Sequence, residues 1–396
     1  MKYMPAIVMP DSKKIFAVAL CAYFFAICMN PSVSEPVGAM TLVMSAIMIG
    51  RSSKLSHFVL DSSLFALLAF GLYSSFMNII GPGDAARTGI IYGWLIPFFI
   101  GRAFIHFRPE TVQRDMLVAA VTLAGVMLVA QFILAIGINR IPALDLDLLD
   151  LKLTFRNPTR TALFVSVAGM VCITQFLAVS RRERVPIMLA GASLLSALLV
   201  TGKRMTLAAL VVCSGFLLAS RKNFRLIVLG FTAIVCLIFV SGKAERFDLR
   251  PDHLLASQRE RLTVWYAAIE IIKEHPLTGS GFRTFQEAAA PHVEVYRATH
   301  PALDRENLED AHNLPLHLLS ESGIIGTIIF SLIFFFPLRN CWRLRDTNPA
   351  AIPLLSCIAL ILLNSQLHVN IFSLNVSGLL FLLVGAASGI GAQKHT

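Results

Sequence analysis

His312 is the residue of this chain best suited to proton transfer. It lies with Asn313 in the stretch DAHN, which directly precedes a long apolar segment. Imidazole is the side chain that most readily accepts a proton near neutral pH. His312 is therefore a candidate general base, and the alternative is an ordinary polar residue in a surface loop.

Four cations near predicted helix ends could hold an anion. Arg156 and Arg160 lie in the stretch FRNPTR, and Lys203 and Arg204 lie in TGKR. The arginine guanidinium is a permanently charged, planar fork that binds phosphate through two hydrogen bonds. The alternative is that these side chains reach toward the membrane surface, or pair with aspartates of the preceding loop. As a group they favour an anionic ligand.

Two further arginines begin a predicted amphipathic helix over residues 258–274. Arg259 lies within Ser257-Gln258-Arg259-Glu260, which has the form of a capping box, and Arg261 follows it directly. Apolar residues at helical spacing come next. The start of a helix carries a partial positive charge, which adds to that of the arginines. Arg261 and Trp265 are four residues apart and share one helix face. The alternative is that both arginines are solvated charges of a helix lying on the membrane surface, with Trp265 at the interface.

Other kinds of site find little support. The histidines between His253 and His317 have spacings that fit no zinc signature. Gly279-Ser280-Gly281 lies in no parallel strand unit and is a poor nucleotide-binding motif. A Ser-His-Asp hydrolase would need a nucleophile elbow, and none is recognisable. We therefore expect no metal, no cofactor and no nucleic-acid partner.

The composition predicts a membrane protein. Of 396 residues, 56% are hydrophobic and only 15% are charged, which is too apolar for a soluble domain of this size. The apolar residues form blocks long enough to cross about 30 Å of hydrocarbon as helices. The expected fold is an all-α polytopic membrane protein with twelve spans, near residues 14–30, 34–50, 58–80, 88–105, 116–138, 160–179, 185–201, 204–220, 225–241, 315–337, 351–368 and 371–392. The seven cysteines imply no disulfide framework.

The distribution of Lys and Arg predicts the orientation. Short cytoplasmic loops are enriched in these residues, and their alternation along the chain places both termini in the cytoplasm. The first apolar block, 15–29, has no clear cleavage site, so we expect a retained helix. The longest loop then lies on the other side, between spans nine and ten. The predicted division is 1–241 with spans one to nine, 242–314 as this loop with its amphipathic helix, and 315–396 with spans ten to twelve.

This orientation makes the location of four of the candidate cations unusual. Arg156, Arg160, Lys203 and Arg204 fall on the non-cytoplasmic side, where short loops normally avoid positive charge. Their presence there supports a functional role.

Several motifs resemble the O-antigen ligase and polymerase family. From His312 the sequence reads His-Asn, nine residues, Gly323, two residues and Gly326, which is similar to the family signature. The Gly-Lys-Arg before the eighth span, Arg261-x-x-x-Trp265 with the following HPLTGSG, and one large loop late in the chain are similar as well. The specific motifs cover roughly residues 150–335. One departure is NPT at 157–159, where the family has an Asn-Pro-Asn-like turn.

The resemblance implies transfer of a glycan from undecaprenyl diphosphate to an acceptor on the periplasmic face of the inner membrane. His312 would be the general base, and Arg204 and Arg261 would hold the diphosphate. The remaining candidates would contribute to substrate binding, namely Arg156, Arg160, Lys203, Arg259 and Asn313. The acceptor is expected to be lipid A-core, as in a lipopolysaccharide O-antigen ligase, and the alternative is a glycan acceptor, as in an O-antigen or exopolysaccharide polymerase.

A transporter or glycolipid flippase is the alternative from another class. Transporters of the major facilitator type have two related halves joined by a long central cytoplasmic connection. The longest predicted loop of this chain is external and lies late in the sequence, which favours an enzyme.

Overall fold

The computed structural model describes residues 19, 23, 37–43, 45, 61–81, 83–107, 112–140, 158–180, 184–201, 203–220, 251–299, 310–366 and 369–392. Regular structure within these residues is entirely helical, and no strand is found among them. The predicted all-α class is therefore confirmed for the described part of the chain.

The described α-helices are numbered in chain order, independently of the predicted spans. They are α1 (Ser62–Ile80), α2 (Gly89–Gly93), α3 (Leu95–Phe107), α4 (Val112–Arg140), α5 (Pro158–Ala178), α6 (Arg184–Thr201), α7 (Arg204–Ser220), α8 (Pro251–Glu274), α9 (Phe285–Thr299), α10 (Leu314–Leu344), α11 (Ala351–Ser365) and α12 (Leu374–Ala392). Two 3₁₀ turns are also described: Ala85–Thr88 lies between α1 and α2, and Asn370–Phe372 lies between α11 and α12.

Four described segments are long and apolar enough to cross a membrane. They are Ser62–Ile80, Ala85–His106, Thr159–Ala178 and Leu314–Leu344. Shorter apolar helices cover much of α6, α7, α11 and α12. The predicted spans 14–30, 34–50 and 225–241 lie largely outside the described residues. The total of twelve spans, the orientation and the loop boundaries at 242 and 315 remain predictions.

The bundle is held together by close approach of backbones and by a cluster of aromatic rings. A Cβ on Gly101 of α3 would lie 1.9 Å from the carbonyl oxygen of Leu382, and one on Gly385 of α12 would lie 1.9 Å from that of Phe98. These glycines let α3 and α12 pack directly against each other. Beside them the Trp94 indole stacks on Phe381 of α12, with ring centroids 4.6 Å apart.

Arg102 lies within α3, inside the predicted span 88–105, and only 2% of it is exposed. Its guanidinium donates to the Asp61 carboxylate and to the Ser388 hydroxyl of α12. Asp61 also caps α1 by accepting the N–H groups of Ser63 and Leu64. Arg102 is therefore a buried member of an ion pair.

The helices α8 and α9 form a hairpin with a small core of its own. Val264, Ala268 and Ile271 of α8 pack against Phe285 and other apolar residues of α9. Ala311, just before α10, is fully buried in the same core, and Leu316 of α10 packs against it. The hairpin therefore packs against the start of α10, next to His312.

Candidate functional site

The candidate base lies in a tight turn built around Asp310. One carboxylate oxygen, Oδ1, accepts the backbone N–H of His312 at 2.6 Å and lies 2.9 Å from the ring atom Nδ1. This side chain to backbone contact is an Asx turn. His312 has a φ of 48°, a left-handed conformation that is uncommon for a residue with a Cβ. The carboxylate therefore holds both the backbone and the ring of His312.

The environment of Asp310 keeps its carboxyl group ionised. Burial by itself would raise the pKa of Asp310, but the hydrogen bonds from His312 and the charges of His312 and His317 outweigh that effect. The net result is a lowered pKa.

Trp265 connects the His312 turn to α8. Its indole N–H donates to the carbonyl oxygen of Ala311 at 2.9 Å. Arg261 lies one helical turn earlier on the same face of α8 and is partly exposed. Arg261 therefore lies on the helix that supports the candidate base.

The helix α10 is broken at Gly323, where φ is 60° and ψ is −171°. A continuous helix would pair the carbonyls of 320 and 321 with the N–H groups of 324 and 325. Instead, the segment 276–281 passes through the break and satisfies all four groups. The bonds are Ser280 N to Ser320 O, Gly281 N to Glu321 O, Ile324 N to Pro276 O and Ile325 N to Leu277 O, at 2.9 to 3.3 Å.

The second signature glycine has a packing role as well. A Cβ on Gly326 would lie 2.7 Å from the ring of Tyr73 in α1. The Tyr73 hydroxyl donates to the carbonyl oxygen of Ser322 at 2.9 Å. Asn78, at the end of α1, pairs with both the N–H and the carbonyl of Phe282, at 2.7 and 3.0 Å. The Gly-x-x-Gly spacing thus lets α1 and the segment 276–281 dock on α10.

A buried His317–Glu321 pair lies behind the turn. Nε2 of His317 lies 3.5 Å from the Glu321 carboxylate, which also accepts the N–H groups of Arg283 and Phe285 at 2.8 and 3.0 Å. Glu321 therefore holds the start of α9. The His317 ring lies between Phe285 and Phe372, with centroids 5.3 and 5.4 Å away.

Asn313 begins α10. Its side-chain oxygen accepts the N–H of Leu316 at 3.1 Å, so the residue is the N-cap of the helix. The observed contact is structural, and a contact of Asn313 with substrate remains a prediction.

Lys203 and Arg204 lie at the same end of the bundle as His312. Arg204 is the first residue of α7, and two residues later the Thr206 hydroxyl donates to Asn364 near the end of α11, at 3.0 Å. The 3₁₀ turn that follows α11 carries Phe372, which contacts His317. This chain of contacts joins the start of α7 to the start of α10.

The structure also describes the positions of two other candidate cations. Arg160 lies near the start of α5 and is partly exposed, and Arg259 lies in α8 two residues before Arg261. The prediction that Arg259 and Arg261 lie in the first turn of the helix is wrong, because α8 begins at Pro251. Arg156 lies outside the described residues.

Among the described residues no group of three or more His, Cys, Asp or Glu could hold a metal ion. The independence from metal remains a prediction.

Asp310, His317, Glu321 and Asn78 were not singled out from the sequence. Asp310 had a local signal, because an aspartate two residues before a histidine matches an Asx turn. His317 and Glu321 are four residues apart on one helix face, but whether that face is buried depends on α9. Asn78 contacts residues about 200 positions away, for which the sequence offers no sign.

Comparison with known families gives a match over a region that contains most of the candidate residues. The family model for O-antigen ligase (Wzy_C) matches residues 189–331, which extend from α6 to the first half of α10. Comparison with individual curated proteins gives no match. The matched region contains Arg204, Arg261, His312, Gly323 and Gly326. The resemblance predicted from the motifs is thereby confirmed over residues 189–331, the region that is similar to the O-antigen ligase family model.

Proposed function

We propose that this protein is an O-antigen ligase that transfers a glycan from undecaprenyl diphosphate to lipid A-core on the periplasmic face of the inner membrane. The observation that carries the proposal is the His312 turn, because a histidine held by a carboxylate on a strained turn is suited to general-base catalysis. The family match and the apolar helices support the substrate class and the membrane setting.

The proposed reaction is a direct displacement at the anomeric carbon of the donor. His312 accepts the proton of an acceptor hydroxyl, and the oxygen forms a bond to the anomeric carbon. The bond between that carbon and the diphosphate oxygen breaks, and undecaprenyl diphosphate leaves with the electron pair. The products are the new glycoside, the lipid diphosphate and a protonated His312, which then releases its proton to water.

Arg204 and Arg261 are proposed to stabilise the leaving diphosphate. Arg204 begins α7 and Arg261 lies on the helix that supports His312. Arginine binds a phosphate through two hydrogen bonds, and placing such donors where negative charge develops lowers the barrier. Lys203, Arg156, Arg160 and Arg259 would add positive potential around the same group.

Purified protein in liposomes tests this proposal. Wild-type protein with an undecaprenyl-diphosphate-linked glycan is expected to glycosylate lipid A-core. His312→Ala should lower the rate by about a hundredfold or more, since general-base catalysis contributes about 10²- to 10⁴-fold. His292→Ala is the matched control, because His292 lies on α9 of the same hairpin and outside the motifs that resemble the family. Near-normal transfer by His312→Ala at pH 7.5 would remove His312 from the mechanism.

The choice of acceptor separates ligase from polymerase in the same assay. Transfer to a second lipid-linked glycan, with none to lipid A-core, would assign the polymerase activity instead. Arg204→Ala and Arg261→Ala should each weaken use of the donor, and the lysine variants should be impaired as well because a point charge lacks the two-pronged geometry. Wild-type rates in both alanine variants would exclude a role in diphosphate binding.

The proposed orientation has its own test. A reporter that is active only in the periplasm should be active when fused after residue 290 and inactive when fused after residue 183. The reverse pattern would place the His312 turn in the cytoplasm and overturn the proposed location.

A further inference from the structure

The contact between Asp310 and His312 determines which ring nitrogen can act as base. A neutral imidazole has one nitrogen that donates and one that accepts, whereas an ionised carboxylate only accepts. Since Oδ1 of Asp310 lies 2.9 Å from Nδ1, the hydrogen of the neutral ring is placed on Nδ1. The lone pair is then on Nε2, so Nε2 is the ring atom that can accept the proton of the acceptor hydroxyl.

The same carboxylate restricts the position of the ring. Oδ1 also accepts the backbone N–H of His312 at 2.6 Å, so the backbone and ring share one anchor. Asp310 itself is partly buried, with 26% of its side chain exposed, which limits its own movement. A histidine whose ring is fixed loses less freedom when it engages a substrate.

A fixed negative charge beside the ring also favours the protonated imidazole that forms during transfer. An opposite charge within about 4–6 Å stabilises the charged form of a titrating group. Removing the charge should therefore make the ring harder to protonate, so that neutral His312 persists to lower pH.

We propose that Asp310 is a positioning residue for glycan transfer, which selects Nε2 of His312 as the base and stabilises the ring when it is protonated. This inference rests on the proposed function, in which His312 accepts the proton of the acceptor. Asp310 contacts Nδ1 of His312, whereas the proton is accepted at Nε2.

Other ionisable groups lie on the elements packed around this turn. His317 and Glu321 form their pair on α10, and His317 contributes to the lowered pKa of Asp310. Arg261 lies on α8, and Arg87 reaches α9 through Glu287 at 2.7 Å. All of these groups remain in the variants below, so the comparison isolates the charge at position 310.

The test is the pH dependence of transfer by full-length protein in liposomes, between pH 5 and pH 9. Asp310→Asn keeps an oxygen that can accept from Nδ1 but removes the charge, so the acid limb of the profile should move to lower pH by about one unit. Asp310→Ala also removes the hydrogen bond and should forfeit at least about tenfold in kcat at high pH. Glu294→Gln removes an exposed negative charge from α9 and should leave the profile unchanged.

An unmoved acid limb in Asp310→Asn, in protein that transfers glycan, would overturn the role of Asp310 and leave the proposed function standing. Absence of transfer by wild-type protein with either acceptor would instead count against the proposed function. Nitrogen NMR of ¹⁵N-histidine-labelled protein gives a readout independent of activity, with His312→Gln used to assign the signal. The hydrogen of neutral His312 is expected on Nδ1 in wild-type protein, and finding it on Nε2 would also overturn the proposal.

Discussion

Gly279 and Gly323 lie back to back where the segment 276–281 passes through the break in α10. Both have left-handed backbones, with φ of 70° and 60°. A Cβ on Gly279 would lie 2.3 Å from the carbonyl carbon of Glu321, and one on Gly323 would lie 2.3 Å from that of Leu277. Each glycine therefore allows the other backbone to approach within hydrogen-bond distance.

Gly323→Ala is expected to displace this segment and abolish most activity. The left-handed conformation costs a residue with a Cβ about 1–3 kcal/mol, and the clash adds to that cost. Loss of the four hydrogen bonds should raise hydrogen exchange at 276–281 in detergent-solubilised protein. Gly215→Ala in α7 is the control, because a Cβ there meets nothing within 4 Å. If the two variants behave alike, the break is not held by this packing.

Trp265→Phe should lower kcat without moving the acid limb of the pH profile. The substitution keeps an aromatic ring but removes the N–H donor to Ala311, and a hydrogen bond of this kind is worth about 1 kcal/mol. The His312 turn is then held less firmly, while the charge beside the ring is unchanged. Trp342→Phe, with 45% of Trp342 exposed near the end of α10, is the control. A shift of the acid limb in Trp265→Phe would contradict a role limited to holding the His312 turn.

The regular helices were predictable because their signals are local. The eighth predicted span, 204–220, has the same bounds as α7, since a Gly-Lys-Arg stretch precedes an uninterrupted apolar run. The tenth span was predicted to end at 337, but α10 continues to Leu344. The apolar run becomes mixed there, while the backbone remains helical. The break at Gly323 was not predicted, because it depends on pairing with residues about 45 positions earlier.

The candidate site residues could be named from the sequence, but their geometry could not be predicted. His312, Arg204 and Arg261 were named from residue type, spacing and family resemblance. The sequence did not show that Trp265 supports the His312 turn, because that contact joins residues 46 positions apart. For the same reason Gly323 and Gly326 were recognised as a signature without a physical role.

The Arg87–Glu287 contact should respond to acid. Arg87 donates to Glu287 and to the carbonyl oxygen of Arg283, both at 2.7 Å, and so joins the loop after α1 to α9. The hydrogen bond from Arg87 lowers the pKa of Glu287. The ionic contact is therefore complete above the ordinary glutamate pKa of about 4.3 and is lost as pH falls through the lower, folded value.

Arg87→Ala is expected to loosen α9 with little effect on overall stability, because exposed ion pairs contribute about 0–1 kcal/mol. Limited proteolysis at pH 7 should cut the hairpin faster in Arg87→Ala than in wild-type protein. Arg339→Ala, at the far end of α10, is the control. Equal cleavage rates would show that the contact does not restrain α9.

The buried pair of Asp61 and Arg102 should show strong energetic coupling. It joins the start of α1 to α3, and Ser388 of α12 shares the guanidinium. Removing one partner of such a pair leaves an uncompensated charge and costs about 3–5 kcal/mol. Arg102→Met and Asp61→Asn should each lower the thermal stability of detergent-solubilised protein. Asparagine keeps the oxygen that caps α1, so Asp61→Asn removes mainly the charge.

The double variant Asp61→Asn with Arg102→Met is expected to recover part of the lost stability. Neither residue then leaves a buried charge, and a methionine is well tolerated among apolar helices. A double-mutant cycle on thermal unfolding measures the coupling, which should be at least about 1 kcal/mol. Transfer activity should follow the folded fraction, because the pair packs within the bundle and not at the His312 turn. Additive losses in the double variant would show that the two charges do not stabilise each other.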